Sequence, residues 1–332
     1  MRGYIALALI AATLFSLGCA AQGQASAEKT SKELTQSKIT SQHSLQNPNR
    51  TQRNIRIGHY QCICHQGDFE QNLKTVLHGL KLGSEAKLDI VSFPECFLTG
   101  FYRTEEQARA NCLTIDSLQI KRVLEETAAF EILFMVGFNE LRDSKLYNTV
   151  AVIEKGRLLG TYSKAFPIFR YFTPGREFPV FEKKGLKFGV IICADGGYIE
   201  PCRILALKGA EIIFAPHFNH VSDPIQHYQM VRNDHIARAV ENGIYFLRAN
   251  NVTPKEDKAE TTKGLPRYGY GDSYLLNPNG KIVAAAGLYD EYLMIYNLDM
   301  NKKYRSRRGV RSLKSATALI DILRSTIVSS RK

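Results

Sequence analysis

The sequence predicts an α/β fold in which two mixed β-sheets lie between layers of helix. Short apolar, β-branched runs such as Asp89 to Phe93, Phe188 to Ile192 and Ile212 to Ala215 read as buried strands. Helical periodicities stand between them. Towards the C-terminus hairpins accumulate, punctuated by turns such as Asn277-Pro278-Asn279-Gly280. Strands alternating with helices and then with hairpins need helix cover on two sheets rather than one.

Taken in order, Ile55 to Cys62 alternates as a strand. Asp68 with Gln71 forms a capping box, and Phe69, Leu73, Val76, Leu77 and Leu80 supply one helical face. Ser117 to Phe130 is the next helix and Ile132 to Phe138 the strand after it. Thr149 to Ile153 and Leu158 to Tyr162 form a hairpin around Lys155-Gly156, and Val180-Phe181 pairs with Leu186 to Ile192 around Lys183 to Gly185. Glu200-Pro201 opens a short helix, since proline and a carboxylate both suit a first turn. Asp223-Pro224 opens the longest helix, with Ile225, Tyr228, Val231, His235, Ala239 and Val240 near one stripe. Strands follow at Ile244 to Leu247, Ser273 to Leu276, Ile282 to Ala285 and Tyr292 to Leu298.

The ends of the chain differ from its middle. Met1-Arg2 followed by the apolar run Ile5 to Leu17 reads as an export signal over residues 1–21, too short to span a bilayer comfortably. Ser16-Leu17-Gly18-Cys19 resembles a bacterial lipoprotein box, in which Cys19 would carry the lipid anchor. Plain cleavage after Ala21 or Ala27 is the other reading. Residues 22–53 are rich in Gln, Ser, Thr and Lys and hold too few large apolar groups to offset their ordering entropy, so they read as a polar tether. Residues 54–300 then form one large domain and residues 301–332 a basic C-terminal segment, suited to contact a second subunit. The chain is expected to be exported to the periplasm of a bacterium.

The formal charge of +12 is concentrated in the tails, which carry +4 over residues 1–53 and +9 over 301–332, leaving −1 on the domain. No aromatic interleaving accompanies the basic run, which excludes a nucleic-acid-binding module. The seven cysteines match no metal-site spacing, and a chain of 332 residues has no need of a disulfide framework. No metal or organic cofactor is implied.

Three strand ends carry the same anomaly. Glu95 follows I-V-S-F-P, where a carboxylate is costly to bury unless paired. Lys164 follows L-G-T-Y-S and precedes A-F-P-I-F. Cys193 ends the run F-G-V-I-I and faces a helix start. Singly, each has an ordinary structural explanation, and free cysteine in particular is more often core than catalyst. Together they supply a nucleophile, a base for its proton and a cation for the charge that develops.

F-P-E (93–95), L-T-G-F (98–101), Y-N-T (147–149), Y-S-K (162–164), F-T-P-G (172–175) and I-C-A-D (192–195) stand in the order and spacing of the nitrilase, or carbon–nitrogen hydrolase, superfamily. G-A-E-I-I (209–213), R-A-V-E-N (238–242) and G-D-S (271–273) extend that resemblance over Ile55 to Leu298. It implies an α-β-β-α sandwich and a Glu-Lys-Cys triad falling on Glu95, Lys164 and Cys193. Ala194 would supply a backbone N–H to the oxyanion. A second family glutamate, which positions the lysine and substrate, falls on Glu140. The resemblance also implies homo-oligomers.

The resemblance further implies hydrolysis of an amide or N-carbamoyl amine through a cysteine thioester. Transfer of the acyl group to an amine, nitrile hydrolysis and a non-catalytic scaffold are the alternatives. Cys193-Ala194-Asp195 is similar to the amidase and carbamoylase branches rather than to the Cys-Trp-Glu of nitrilases. Gly197 stands where the family often places an arginine. His217, Phe218, Asn219, Arg170 and Tyr171 are the candidate substrate-binding residues.

Overall fold

The computed structural model describes residues 54–219, 221, 224–253, 269–302, 304 and 311–329. The export signal, Cys19, the tether and the charged loop after Thr253 lie outside the described residues, as does most of the basic run between 303 and 310. Residues 52–332 make one compact unit.

Its first half runs β1 (Asn54–Gln61), α1 (Phe69–Glu85), β2 (Ile90–Ser92), α2 (Glu105–Ala110), α3 (Leu118–Thr127), β3 (Leu133–Arg142), β4 (Lys145–Glu154) and β5 (Arg157–Ser163). The second half runs β6 (Val180–Lys183), β7 (Leu186–Val190), a 3-10 turn (Cys193–Gly197), α4 (Ile199–Leu207), β8 (Ile212–Pro216), α5 (Pro224–Asn242) and β9 (Tyr245–Ala249). β10 (Tyr274–Leu276), β11 (Ile282–Ala285), β12 (Tyr292–Asp299) and α6 (Arg311–Ser329) complete the order.

The strands form two six-stranded sheets, β12-β1-β2-β3-β4-β5 and β11-β10-β9-β8-β7-β6. Both are mixed: β1-β2-β3 and β7-β8-β9 pair in parallel, and the outer pairs are antiparallel. β3 shows why this is a sandwich. Leu133 and Met135 join the cluster that contains Phe188, Ile212 and Leu247 of the other sheet. The alternate residues Phe134, Val136 and Phe138 pack with Leu73, Val76 and Leu80 of α1 and with Ile120 and Val123 of α3. Successive side chains leave a strand on opposite faces, so a strand buried on both reads as a continuous apolar run. Leu205 of α4 and Ala239 of α5 close the outer face of the second sheet. The order is helix, sheet, sheet, helix.

Capping follows the sequence where cap residues are present. Asp68 accepts from the Gln71 amide at 3.0 Å and Ser117 from the Ile120 amide at 3.3 Å. α3 ends at Thr127, short of the expected Phe130, where the Thr127 hydroxyl donates back to the Val123 carbonyl at 2.6 Å. α2 is too short for its periodicity to be visible and is set by its Thr104 cap. The apolar stripe of α5 is buried at His235 and Ala239, but Ile225 in its first turn is exposed.

Candidate active site

Glu95, Lys164 and Cys193 leave the ends of β2, β5 and β7 and meet at one edge of the two sheets. The Glu95 loop is held by tight backbone bonds, with Gly100 N–H donating to the Cys96 carbonyl at 2.7 Å and Leu98 N–H to the Gly137 carbonyl at 2.9 Å. Gly137 is required there, because a Cβ on it would stand 2.4 Å from the Cys96 nitrogen. Lys164 is fixed at its backbone on both sides: its N–H donates to Asn148 O at 2.8 Å, and its carbonyl accepts from Gly175 N–H at 2.8 Å.

Lys164 Nζ lies 2.7 Å from Glu95 Oε1, and both side chains are fully buried. Asn148 Nδ2 donates to the same oxygen at 2.6 Å, while Phe218 N–H donates to Glu95 Oε2 at 2.9 Å. A buried charge is tolerated only when paired and fully hydrogen-bonded, and this carboxylate meets both conditions. Burial works against the Lys164 ammonium. The negative charge of Glu95, with that of Asp195, outweighs burial and holds its pKa above the ordinary lysine range.

Cys193 opens the 3-10 turn with φ +46°, a left-handed conformation that a side chain adopts at a cost. β7 has already ended at Val190, and the turn sets the thiol on the cavity wall. Burial pushes its pKa up to about 12, with Lys164 and Arg248 opposing and Glu95 adding to the rise. The resting sulfur is therefore a thiol, and its proton has a carboxylate beside it to go to. Cys62, Cys64, Cys96, Cys112 and Cys202 are free thiols, as is Cys193.

Asp195, two residues on, is buried and takes three donors: Tyr162 Oη at 2.7 Å and Ile192 N–H at 3.0 Å on Oδ2, and Phe166 N–H at 2.8 Å on Oδ1. It ties the nucleophile turn to the segment that carries Lys164. A cavity of about 570 Å³ opens in front of the thiol, lined by Cys193, Ala194, His217, Phe218 and Asn219. Asn219 Nδ2 lies 3.9 Å from Cys193 Sγ. His217 places Nδ1 2.7 Å from the Ala215 carbonyl, so Nδ1 carries the hydrogen and Nε2 is an acceptor. Burial, then Arg248 and His235, depress its pKa well below the ordinary value and keep the ring neutral.

Two expectations are corrected. Arg170 is absent from the lining of this cavity and borders a separate surface depression with Pro174 and Tyr198. Tyr171 donates its hydroxyl to Tyr102 O at 2.7 Å and stacks on Phe169, so it supports the wall rather than lining it. The segment turns after Phe169, which takes the next two residues off the lining. Glu140 accepts from Thr149 Oγ1 at 2.7 Å and lies 3.9 Å from Arg142, whereas Lys164 takes Glu95 as its ion-pair partner. Thr149 in turn bonds Ser163 Oγ at 2.9 Å, which links Glu140 to the residue before Lys164.

The sequence did not single out Phe101, which stacks on Phe218 with ring centroids 5.1 Å apart, nor Phe169, His227, Asp234 and His235, which complete the wall. The helical ones had a signal, since His227, Val231, Asp234 and His235 recur at helical spacing and all line the cavity. Among the described residues, no group of three or more His, Cys, Asp or Glu is placed to hold a metal ion, and no helix is long and apolar enough to cross a membrane.

An amidase from Nesterenkonia sp. superposes with a TM-score of 0.62 over 75% of this chain and 92% of that one, at 22% identity, a likeness of fold. N-carbamoylputrescine amidase from Solanum tuberosum is 34% identical over 77% of this chain and 90% of its own length. The glutamine-dependent NAD(+) synthetase of Thermotoga maritima is 26% identical over 72% of this chain, which spans only 41% of that enzyme's length. Residues 56–308 match the carbon-nitrogen hydrolase family model. A match over most of the chain, on two sheets that converge on a buried glutamate and lysine and a half-buried cysteine, makes this protein a member of the carbon–nitrogen hydrolase family.

Proposed function

We propose that this protein hydrolyses a non-peptide C–N bond, in an amide or N-carbamoyl amine, through a thioester on Cys193. The observation that carries the reading is the fully buried Lys164–Glu95 pair beside the thiol. Such a pair is a poor means of stabilising a core and a good means of holding a base and a cation at fixed positions.

Glu95 takes the Sγ proton as sulfur forms its bond to the carbonyl carbon. The carbonyl electron pair moves to oxygen, where Lys164 Nζ and the Ala194 N–H stabilise the oxyanion. When that pair returns, the C–N bond breaks, and Glu95 gives its proton to the departing nitrogen. Glu95 then deprotonates a water, whose oxygen attacks the thioester carbon. The C–S bond breaks and the proton returns to sulfur, releasing the acid. The potato relative named N-carbamoylputrescine amidase supports a carbamoyl or simple amide substrate. The leader supports action outside the cytoplasm, and Cys19, where lipidated, would tether the enzyme to a membrane.

The test is ammonia release from a panel of amides and carbamoyl amines by wild type and by Cys193→Ala and Cys193→Ser. Loss of release in folded variants is expected; undiminished release would overturn the reading.

A further inference from the structure

Arg248 of β9 is the largest fully buried side chain among the described residues, and the chemistry above makes no use of it. Its guanidinium donates through Nη1 to the Gly271 carbonyl at 2.8 Å and to the Asp272 carbonyl. Through Nη2 it donates to Tyr270 Oη at 2.8 Å and to Asn219 Oδ1 at 2.5 Å. The Asp272 carboxylate stands 3.7 Å away, and the guanidinium lies over the Tyr270 ring at 5.1 Å from its centroid. Packed and bonded on this many sides, the fork has one orientation.

A guanidinium only donates, so the side-chain atom of Asn219 that meets it must be the carbonyl oxygen. The Asn219 backbone N–H is held as well, between Asn251 Oδ1 at 2.9 Å and Asn250 Oδ1 at 3.2 Å. With Oδ1 and the backbone fixed, the carboxamide cannot flip, and its NH2 group is left facing Cys193 Sγ at 3.9 Å. We infer that Arg248 is a positioning residue that aims the Asn219 amide N–H at the Cys193 sulfur, giving the thiolate a donor when Glu95 removes its proton. The donor contact is long on the resting thiol and becomes charge-assisted on the anion, where such bonds shorten and gain strength. The charged groups acting on this sulfur come from three strand ends: Lys164 after β5, Glu95 after β2 and Arg248 on β9. Lys164 and Arg248 favour the thiolate, and Glu95 opposes it.

The inference rests on Cys193 being the nucleophile, and it is tested without substrate. The rate of Cys193 alkylation by iodoacetamide is followed by mass spectrometry across a pH series, in wild type, Asn219→Leu, Arg248→Met, the double variant and Arg248→Lys. Each single variant is expected to alkylate about tenfold more slowly near neutrality, with its profile moved to higher pH, the size expected for one hydrogen bond to a charged group. The double variant should be no slower than the slower single, because one contact is broken twice. Arg248→Lys keeps the charge but not the fork, so it should fold, melt near wild type and still alkylate slowly. In turnover, kcat should fall about tenfold while KM moves less than about twofold.

Wild-type alkylation in Arg248→Lys, or losses that multiply in the double variant, would overturn the inference. If Arg248→Met fails to fold, Asn219→Leu with Arg248→Lys decides it. A wild-type Cys193 no more reactive than buried Cys202 would instead remove the nucleophile reading and this inference with it.

Discussion

The Tyr162 hydroxyl donates to Asp195 Oδ2 at 2.7 Å, joining the end of β5 to the turn that carries Cys193. Lys164 lies two residues from one partner and Cys193 two residues from the other. The spacing between cation and sulfur is therefore set by a hydrogen bond that neither of them makes.

Asp195→Asn tests that linkage. A carboxylate accepts from Tyr162, Ile192 and Phe166, whereas a carboxamide must turn an NH2 towards at least one of these donors. The variant should lose about 2–3 kcal/mol of stability in denaturant titration, the scale of an unsatisfied buried group, and at least about tenfold in kcat.

Glu95→Gln keeps the size of the side chain and removes its charge, leaving the Lys164 ammonium buried without its counter-ion. Breaking a buried pair from one side costs about 3–5 kcal/mol. Because turnover loses its base at the same time, activity should drop below detection. Lys164→Met, which removes the orphaned charge, should restore much of the stability in the double variant and none of the activity.

Acid should unfold the protein through its buried histidines. Burial lowers the pKa of His59 to about 4 and those of His217 and His235 well below 6.5. As pH falls from 6.5 towards about 4, the unfolded chain takes up these protons while the native state does not. Stability is thus present at and above neutrality and lost through this window, at about 1.4 kcal/mol per pH unit for each histidine. Urea midpoints across the window should show the slope, and His59→Gln should flatten it.

Gly197 leaves room on the cavity wall, since a Cβ there would meet only Asp234 Oδ2, at 3.7 Å. Gly197→Arg should fold normally, pair with Asp234 and narrow the cleft. KM should rise about tenfold for bulky amides and little for acetamide-sized ones, a difference read directly from steady-state kinetics.

Gly137→Ala addresses the opposite case, where no room exists. The added methyl must displace the Cys96 backbone and Glu95 with it, so kcat should fall about a hundredfold while secondary structure by circular dichroism persists.

The cluster of Glu95, Lys164 and Cys193 was legible because each member is chemically wrong for its place. A carboxylate, an ammonium and a thiol at the ends of buried apolar strands stand out in a linear reading. The sheets were legible for the same periodic reason, and β3, apolar on both faces, marked the strand that lies between core and helix. What the sequence withheld depends on which side chains meet across elements. Arg248 and Asn219 are 29 residues apart and come together only because β8 and β9 pair in parallel. Glu140 lies within β3 rather than after its end, and there its carboxylate meets Thr149 on the neighbouring strand. Arg170 and Tyr171 follow Lys164 closely, but the loop bends and carries them off the cavity. Spacing along the chain identifies a strand end; it does not give the direction of the side chain there.

The Glu95 carboxylate also acts as a dovetail. Glu95 rides on the first sheet and is gripped by the Phe218 N–H of the second, while His59 of β1 reaches the Asn250 carbonyl beyond β9. A slip of one sheet over the other by a single residue would leave the greasy interface between them nearly as well filled, yet it would empty these joints. Catalytic competence in this fold is therefore a gauge of alignment: activity should vanish at lower denaturant than the far-ultraviolet signal, marking the point where the sheets still touch but no longer register.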